Sequence, residues 1–162
     1  MGQLNRIAAM IVSSPTASTV EPTISSSSFW PDIDPAEIRE EQRIDDTITP
    51  ARLRAMLIEA IATTNDALRD WRLVKLAAGV TTLAAADEDE IDGEPVIVHR
   101  YRRAVGCLAK ALILERYPDY DATGKGDKKA ETQTSPIDDC RRDHRFAISD
   151  IRDEARSTVE LI

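Results

Sequence analysis

The stretch from Thr49 to Gly79 restricts the fold most. Leu53, Leu57, Ile61, Thr64, Leu68, Trp71 and Lys75 follow one another there at steps of three and four, with Met56, Ala60, Ala67 and Val74 beside them. That is the spacing of a single stripe along an α-helix, turned toward a core. Thr49 and Pro50 suit the N-cap and first helical position, and Gly79 suits the C-terminal stop. One helix of about 29 residues, about 43 Å long, is therefore expected. In a chain of 162 residues, such a rod leaves flank surface for another element, or another subunit, to cover.

The rest of the chain carries the same punctuation. Asp34, Pro35 and Glu37 have the spacing of an N-cap, a first helical position and a capping carboxylate, which predicts a short helix from about Pro35 to Ile44. Asp92, Gly93 and Pro95 offer another start, with a helix expected from about Glu94 to Tyr117. Its stripe is Ile97, Tyr101, Val105, Leu108 and Leu112, widened by Ala104, Cys107, Ala111 and Leu114. Gly106 within it costs up to about 1 kcal/mol relative to Ala, so close packing against another helix is its expected reason. A last helical region is expected from near Lys128, interrupted at Ser135-Pro136 and resuming with Ile137, Cys140, His144, Ala147, Ile148 and Ile151 on its buried side. No strand and helix alternation is visible. With only two Trp, three Tyr and two Phe, the core must come from Ala, Leu, Ile and Val, a helical palette. The expected fold class is all-α: an elongated helical bundle of three long helices plus a short N-terminal helix, with flexible N-terminal and C-terminal arms.

Composition divides the chain into an arm over residues 1–28, a helical domain over 29–156 and a tail over 157–162. Ser13 to Ser28 is rich in Ser, Thr and Pro and alone buries too little apolar surface to offset its ordering entropy, so it is expected to be disordered or to order on a partner. The final "STVELI" is apolar and expected to dock. "NRIAAMIVSS" resembles a signal peptide only weakly and reads as a cytoplasmic tail. No stretch approaches the length of a membrane span, and Cys107 and Cys140 lack metal-ligand spacing and fit a reducing compartment.

The chemistry-bearing motifs point away from catalysis. "DATGKGDKKAE", Asp121 to Glu131, is not a phosphate-binding loop: Gly124-Lys125 is followed by Gly126, position 119 is Asp, and a helix rather than a strand precedes. It reads as an interhelical loop with a basic tip, Lys125, Lys128 and Lys129. "DEDEIDGE" has the wrong register for an EF-hand, since Gly93 and Glu94 are adjacent, and reads as a solvated acidic loop. Cys140 and His144 share a helix face, but on an apolar stripe they are packing residues rather than nucleophile and base. "HRYRRAV" and "CRRDHRF" have the density of a nucleic-acid stripe, yet interleaved Asp138, Asp139 and Asp143 make pairing within the protein the simpler reading. The net charge of −8 also argues against gripping nucleic acid over a broad surface. No enzyme, no cofactor and no metal site is expected.

"FWPDIDPAEIRE", "PARLR", "TNDALRDWRLVKLAAGVTTLA", "EIDGE", "YRRAV", "ERYPDYDATGKGDKKAE" and "IDDCRRDHRFAI", in this order from Phe29 to about Ile151, resemble the head completion proteins of contractile-tailed temperate phages. Trp30 where a second Phe is usual, Pro136 in a helix-friendly stretch, and Cys140 and His144 in place of larger apolar residues are departures. The resemblance implies a virion structural protein without catalysis, a head-tail connector that seals the DNA-filled head beneath the portal vertex and offers a platform to the neck and tail. It implies a ring, twelve-fold to match the portal. The implied partners are further copies of the chain, the portal protein, a neck or tail-terminator protein and, transiently, packaged genomic DNA, with no membrane. The implied location is the virion neck, reached from the host cytoplasm during assembly. Lys125, Lys128 and Lys129 are then expected at the ring lumen or a subunit boundary, and Phe29, Trp30, Val159, Leu161 and Ile162 at portal or protomer contacts. The rival reading is a small helical DNA-binding or regulatory module using the Lys125–Lys129 loop.

Overall fold

A computed structural model describes residues 21–118 and 135–156. Their elements, in order, are α1 (Pro35–Glu41), α2 (Pro50–Ala67), α3 (Arg69–Ala77), a 3₁₀ turn (Ala84–Ala86), β1 (Glu90–Ile91), β2 (Glu94–Pro95), α4 (Val96–Arg116) and α5 (Pro136–Arg152). The described residues are thus mainly helical, with one two-stranded antiparallel sheet.

Helix starts fall where the punctuation puts them. Asp34 Oδ1 accepts from Ala36 N at 2.8 Å, Thr49 Oγ1 from Arg52 N at 3.4 Å and Ser135 Oγ from Ile137 N at 3.3 Å, and each cap is followed by a proline with no N–H to lose. Pro136 therefore opens α5 rather than interrupting it. The helix expected from Lys128 to that point lies outside the described residues.

The long helix expected over Thr49 to Gly79 is two helices. Leu68, with φ −100° and ψ 7°, separates α2 from α3, while Leu68 N still reaches Thr64 O at 3.1 Å and Arg72 N reaches Leu68 O at 2.9 Å. The joint is therefore a local disturbance of a near-continuous ladder. At the joint, Arg152 on α5 donates to the Ala67 carbonyl, the acceptor that Trp71 N–H uses in an uninterrupted helix. Thr63, Thr64, Asn65 and Asp66, all weak helix formers, precede the joint and put up little resistance. One consequence is that the expected stripe does not continue. Leu53, Leu57, Ile61, Thr64 and Leu68 are buried, but α3 buries no residue, and Val74 is 68% exposed.

Helix α4 is the centre of the fold. Every residue from Ala104 to Ala109 is buried, because α2 and α5 cover two sides of α4 and the end of α1 covers Gly106. An added Cβ at Gly106 would lie 3.1 Å from Gln42 Nε2 and 3.4 Å from Ile38 Cδ1, so the glycine permits the close packing expected of it. Tyr101, fully buried, donates its hydroxyl to Asn65 Oδ1 on α2 at 2.7 Å.

Two further expectations need correction. The acidic stretch expected to be a loop leading straight into a helix folds as a hairpin: Glu90 pairs with Pro95 and Ile91 with Glu94, and Asp92 and Gly93 take φ of 54° and 75°. Two consecutive positive φ values are what a two-residue hairpin turn of the right twist requires, and Asp-Gly is a preferred sequence for it. The boundary expected after residue 28 also falls inside packed chain. Ile24 is buried and exchanges both backbone hydrogen bonds with Ile33, at 2.8 and 3.0 Å, and Glu21 pairs with Arg39 at 2.6 Å. The partner that orders this part of the arm is the chain's own domain.

Candidate interaction surfaces

The sequence offers four groups of residues on which a function might rest: the Cys140–His144 face, the arginine clusters, the aromatic pair at residues 29 and 30, and the basic loop with the C-terminal tail.

On α5, His144 is half-buried, and its Nδ1 donates to Ala104 O on α4 at 3.0 Å. Burial, then Arg145 and Arg141, hold its pKa below the ordinary value. Cys107 on α4 is buried, and burial, then Cys140 and Asp143, push its thiol up to about 11; Cys140 is raised as well, mainly by burial. A nucleophilic cysteine needs its thiolate at neutral pH, favoured by nearby cations and access to solvent. Here the surroundings keep both thiols protonated and tie the imidazole to a backbone carbonyl, an arrangement that holds α5 against α4.

Most of the arginines in the two clusters engage carboxylates or carbonyls of the same chain. Arg100 donates to Asp150 O at 3.1 Å, Arg102 pairs with Glu94 at 2.6 Å and Arg103 with Asp143 at 3.4 Å. Arg141 grips Glu115 through two bonds of 2.7 Å, which lowers the pKa of that carboxylate. Arg142 reaches Asp139 at 2.7 Å and Asp143 at 3.0 Å. Bidentate Arg–carboxylate geometry of this kind fixes orientation as well as charge. The pairing expected from the interleaved aspartates is thus present, while Arg145 of the second cluster stays exposed.

Phe29 and Trp30 are core residues, 2% and 5% exposed. Trp30 stacks on Tyr101 with centroids 5.0 Å apart, and Phe29 meets Trp30 and Trp71 edge-on at 4.8 and 6.2 Å. Their apolar area is spent within the protomer, fastening the chain before α1 to α3 and α4, so neither ring presents a face to a partner. Lys125, Lys128, Lys129, Val159, Leu161 and Ile162 lie outside the described residues.

Among the described residues no group of three His, Cys, Asp or Glu could hold a metal ion, and no helix is long and apolar enough to cross a membrane. A groove of about 500 Å³ between α1 and the following turn is lined by Arg39, Arg43 and Asp45, among others. Arg39 is already committed there, donating to Asp45 O and Ile48 O at 3.0 Å each and pairing with Glu21.

The described residues form a small helical domain whose rings Phe29, Trp30 and Tyr101 are buried in its own core and most of whose clustered arginines pair within the chain. The chain belongs to the phage head completion protein (GPL) family, whose model matches residues 24–162. It is 45% identical over 142 residues to the head completion/stabilization protein of Escherichia phage P2, covering 88% of this chain and 84% of that protein. No solved structure matches. The family is one of virion structural proteins, not a class of enzymes, so this chain is a component of a phage head.

Proposed function

We propose that the protein is a head completion adaptor that assembles as a ring under the portal vertex, seals the DNA-filled head and forms the platform on which the neck and tail are built. The observation that carries this reading is its 45% identity, over nearly the whole chain, to a head completion/stabilization protein. The physical character of the chain supports it. A net charge of −8 suits a conduit through which DNA must pass, because a strongly basic lumen would hold phosphates and resist their movement. A heterologous contact repeated around an axis closes into a ring, and twelve copies would match a twelve-fold portal. The partners are then further copies of the chain, the portal protein, a neck or tail-terminator protein and, transiently, the packaged DNA. Lys125, Lys128 and Lys129 are placed at the lumen or a subunit boundary in this reading, and Val159, Leu161 and Ile162 against the portal or a neighbouring protomer.

Mass measurement with negative-stain imaging, on the protein alone and mixed with portal, tests the proposal. The expected result is a ring seated on portal particles. A protein that stays monomeric with portal present, never joins portal rings and shifts DNA in a gel would overturn it in favour of the DNA-binding module.

A further inference from the structure

The β1–β2 hairpin is not held by burial, since Glu90, Ile91, Asp92 and Gly93 are all exposed. Polar contacts fasten it to the first turns of α4. Val96 N donates to Asp89 O at 2.9 Å, and Arg102 pairs with Glu94 Oε2 at 2.6 Å. His99 reaches the hairpin at two points: its Nε2 lies 2.9 Å from Ile91 O, and its Nδ1 lies 3.5 Å from the same Glu94 Oε2.

These oxygens fix the proton count of the ring. A carbonyl oxygen only accepts, so Nε2 carries the N–H that meets Ile91 O. A neutral imidazole has one N–H, which leaves Nδ1 bare, its lone pair turned toward a carboxylate that has nothing to donate. A second proton converts this contact of two acceptors into a charge-assisted pair. Arg102 holds Glu94 in place for it. The other charged groups near the ring along the chain are Glu90 and Asp92 on β1 and its turn, and Arg103 one turn on along α4, which is drawn away to Asp143 on α5 at 3.4 Å. We propose that His99 is a proton-operated clasp for the hairpin: the neutral ring holds it through Ile91 O alone, and the protonated ring through Ile91 O and Glu94 together. The hold therefore tightens as the pH falls and slackens as it rises, the reverse of His144, whose neutral form is the one the fold prefers. The clasp governs how firmly Ile91, 63% exposed, is presented at the surface. Because the His99 side chain is itself 43% exposed, solvent screens the pair, and the change in hold is about two- to five-fold.

Nitrogen NMR of the isotopically labelled, full-length chain reads the ring directly. At about pH 8 the Nε2–H form of His99 is expected; the Nδ1–H form there would overturn the proposal. Exchange of the amides from Glu90 to Glu94, corrected for its intrinsic dependence on pH, is followed from about pH 8 to about pH 5.5, the window in which imidazoles titrate. Protection is expected to rise about two- to five-fold as the pH falls. His99→Gln, which cannot titrate, should make it flat. Glu94→Gln should flatten it too, while loosening the hairpin at every pH through loss of the Arg102 pair. His144, the other imidazole, is present in all three proteins, so a rise that it caused would persist in both variants. Amide shifts of α4 and α5 matching the wild type verify the fold. Wild-type protection that does not change with pH, or that rises equally in His99→Gln, overturns the proposal.

Discussion

His144 is kept neutral by its place between helices, and that has a measurable cost in acid. Its pKa in the fold lies below the ordinary value of 6.5, chiefly through burial. An unfolded chain therefore takes up a proton first as the pH drops, and the stability carried by the neutral ring is lost from about pH 6.5 downward until the folded pKa is also passed. The carboxylates of Glu115 and Asp150, lowered by Arg141 and Arg156, add their losses only at more acid pH. His144→Gln is expected to flatten the fall in urea midpoint just below pH 6.5 and to leave the more acid limb in place. An unchanged slope in that first window would show that the imidazole is not the group responsible. The sequence placed His144 on the inner side of its helix, but its bond to Ala104 O was beyond reach, since periodicity gives a face and says nothing about which carbonyl lies across from it. The arginine clusters were more legible, because Asp139 stands three residues before Arg142, within reach by helix geometry alone.

At the scale of elements, what the sequence states locally was readable and what the tertiary structure imposes was not. Asp34-Pro35, Thr49-Pro50 and Ser135-Pro136 each announced a helix start, because a cap and its proline act within one turn. The break at Leu68 lies beside a contact with Arg152, a residue 85 positions away from its acceptor, and no local pattern could reveal that contact. The hairpin at Glu90–Pro95 does have a local signal, Asp92-Gly93, but with Pro95 following it the same residues also suit a helix start. Gly106 shows how packing and propensity compete within one element. Replacing it with Ala brings a Cβ to 3.1 Å from the Gln42 amide nitrogen, a contact a half-buried, flexible side chain can relieve. The gain in helix propensity, up to about 1 kcal/mol, then leaves stability within about 1 kcal/mol of the wild type. Gly106→Leu has no such escape, because Ile38 is 2% exposed behind that amide, and overpacking there is expected to cost about 1–3 kcal/mol. Chemical denaturation of the two variants checks this: a leucine as well tolerated as the alanine would mean that α1 does not press on α4 at this point.

For the whole molecule, the composition shift after residue 28 suggests where the domain begins, and among the described residues the packing reaches back to Glu21. A run of Ser, Thr and Pro reads as unable to fold because it cannot bury itself, yet an isoleucine within it can dock where a neighbouring segment offers its backbone. Ile24 does this against Ile33, while Pro22 O accepts from Arg54 on α2 at 2.7 Å and Glu21 closes on Arg39. The segment thus crosses from α1 to α2 and straps the start of the domain to both. Its loss removes the burial of one Ile side chain, about 1.5–3 kcal/mol, and uncovers Ile33 and Arg39. Because the segment is ordered against the domain, its contacts together outweigh the ordering entropy of its residues, so the net loss is smaller than the contacts removed. A chain beginning at Phe29 is therefore expected to be about 1–3 kcal/mol less stable than one beginning at Glu21, with a lower urea midpoint and a near-equal helical signal, since no helix is removed. Equal midpoints would mean that the strap lies on the domain without holding it. The domain would then begin at Phe29, as composition alone had it.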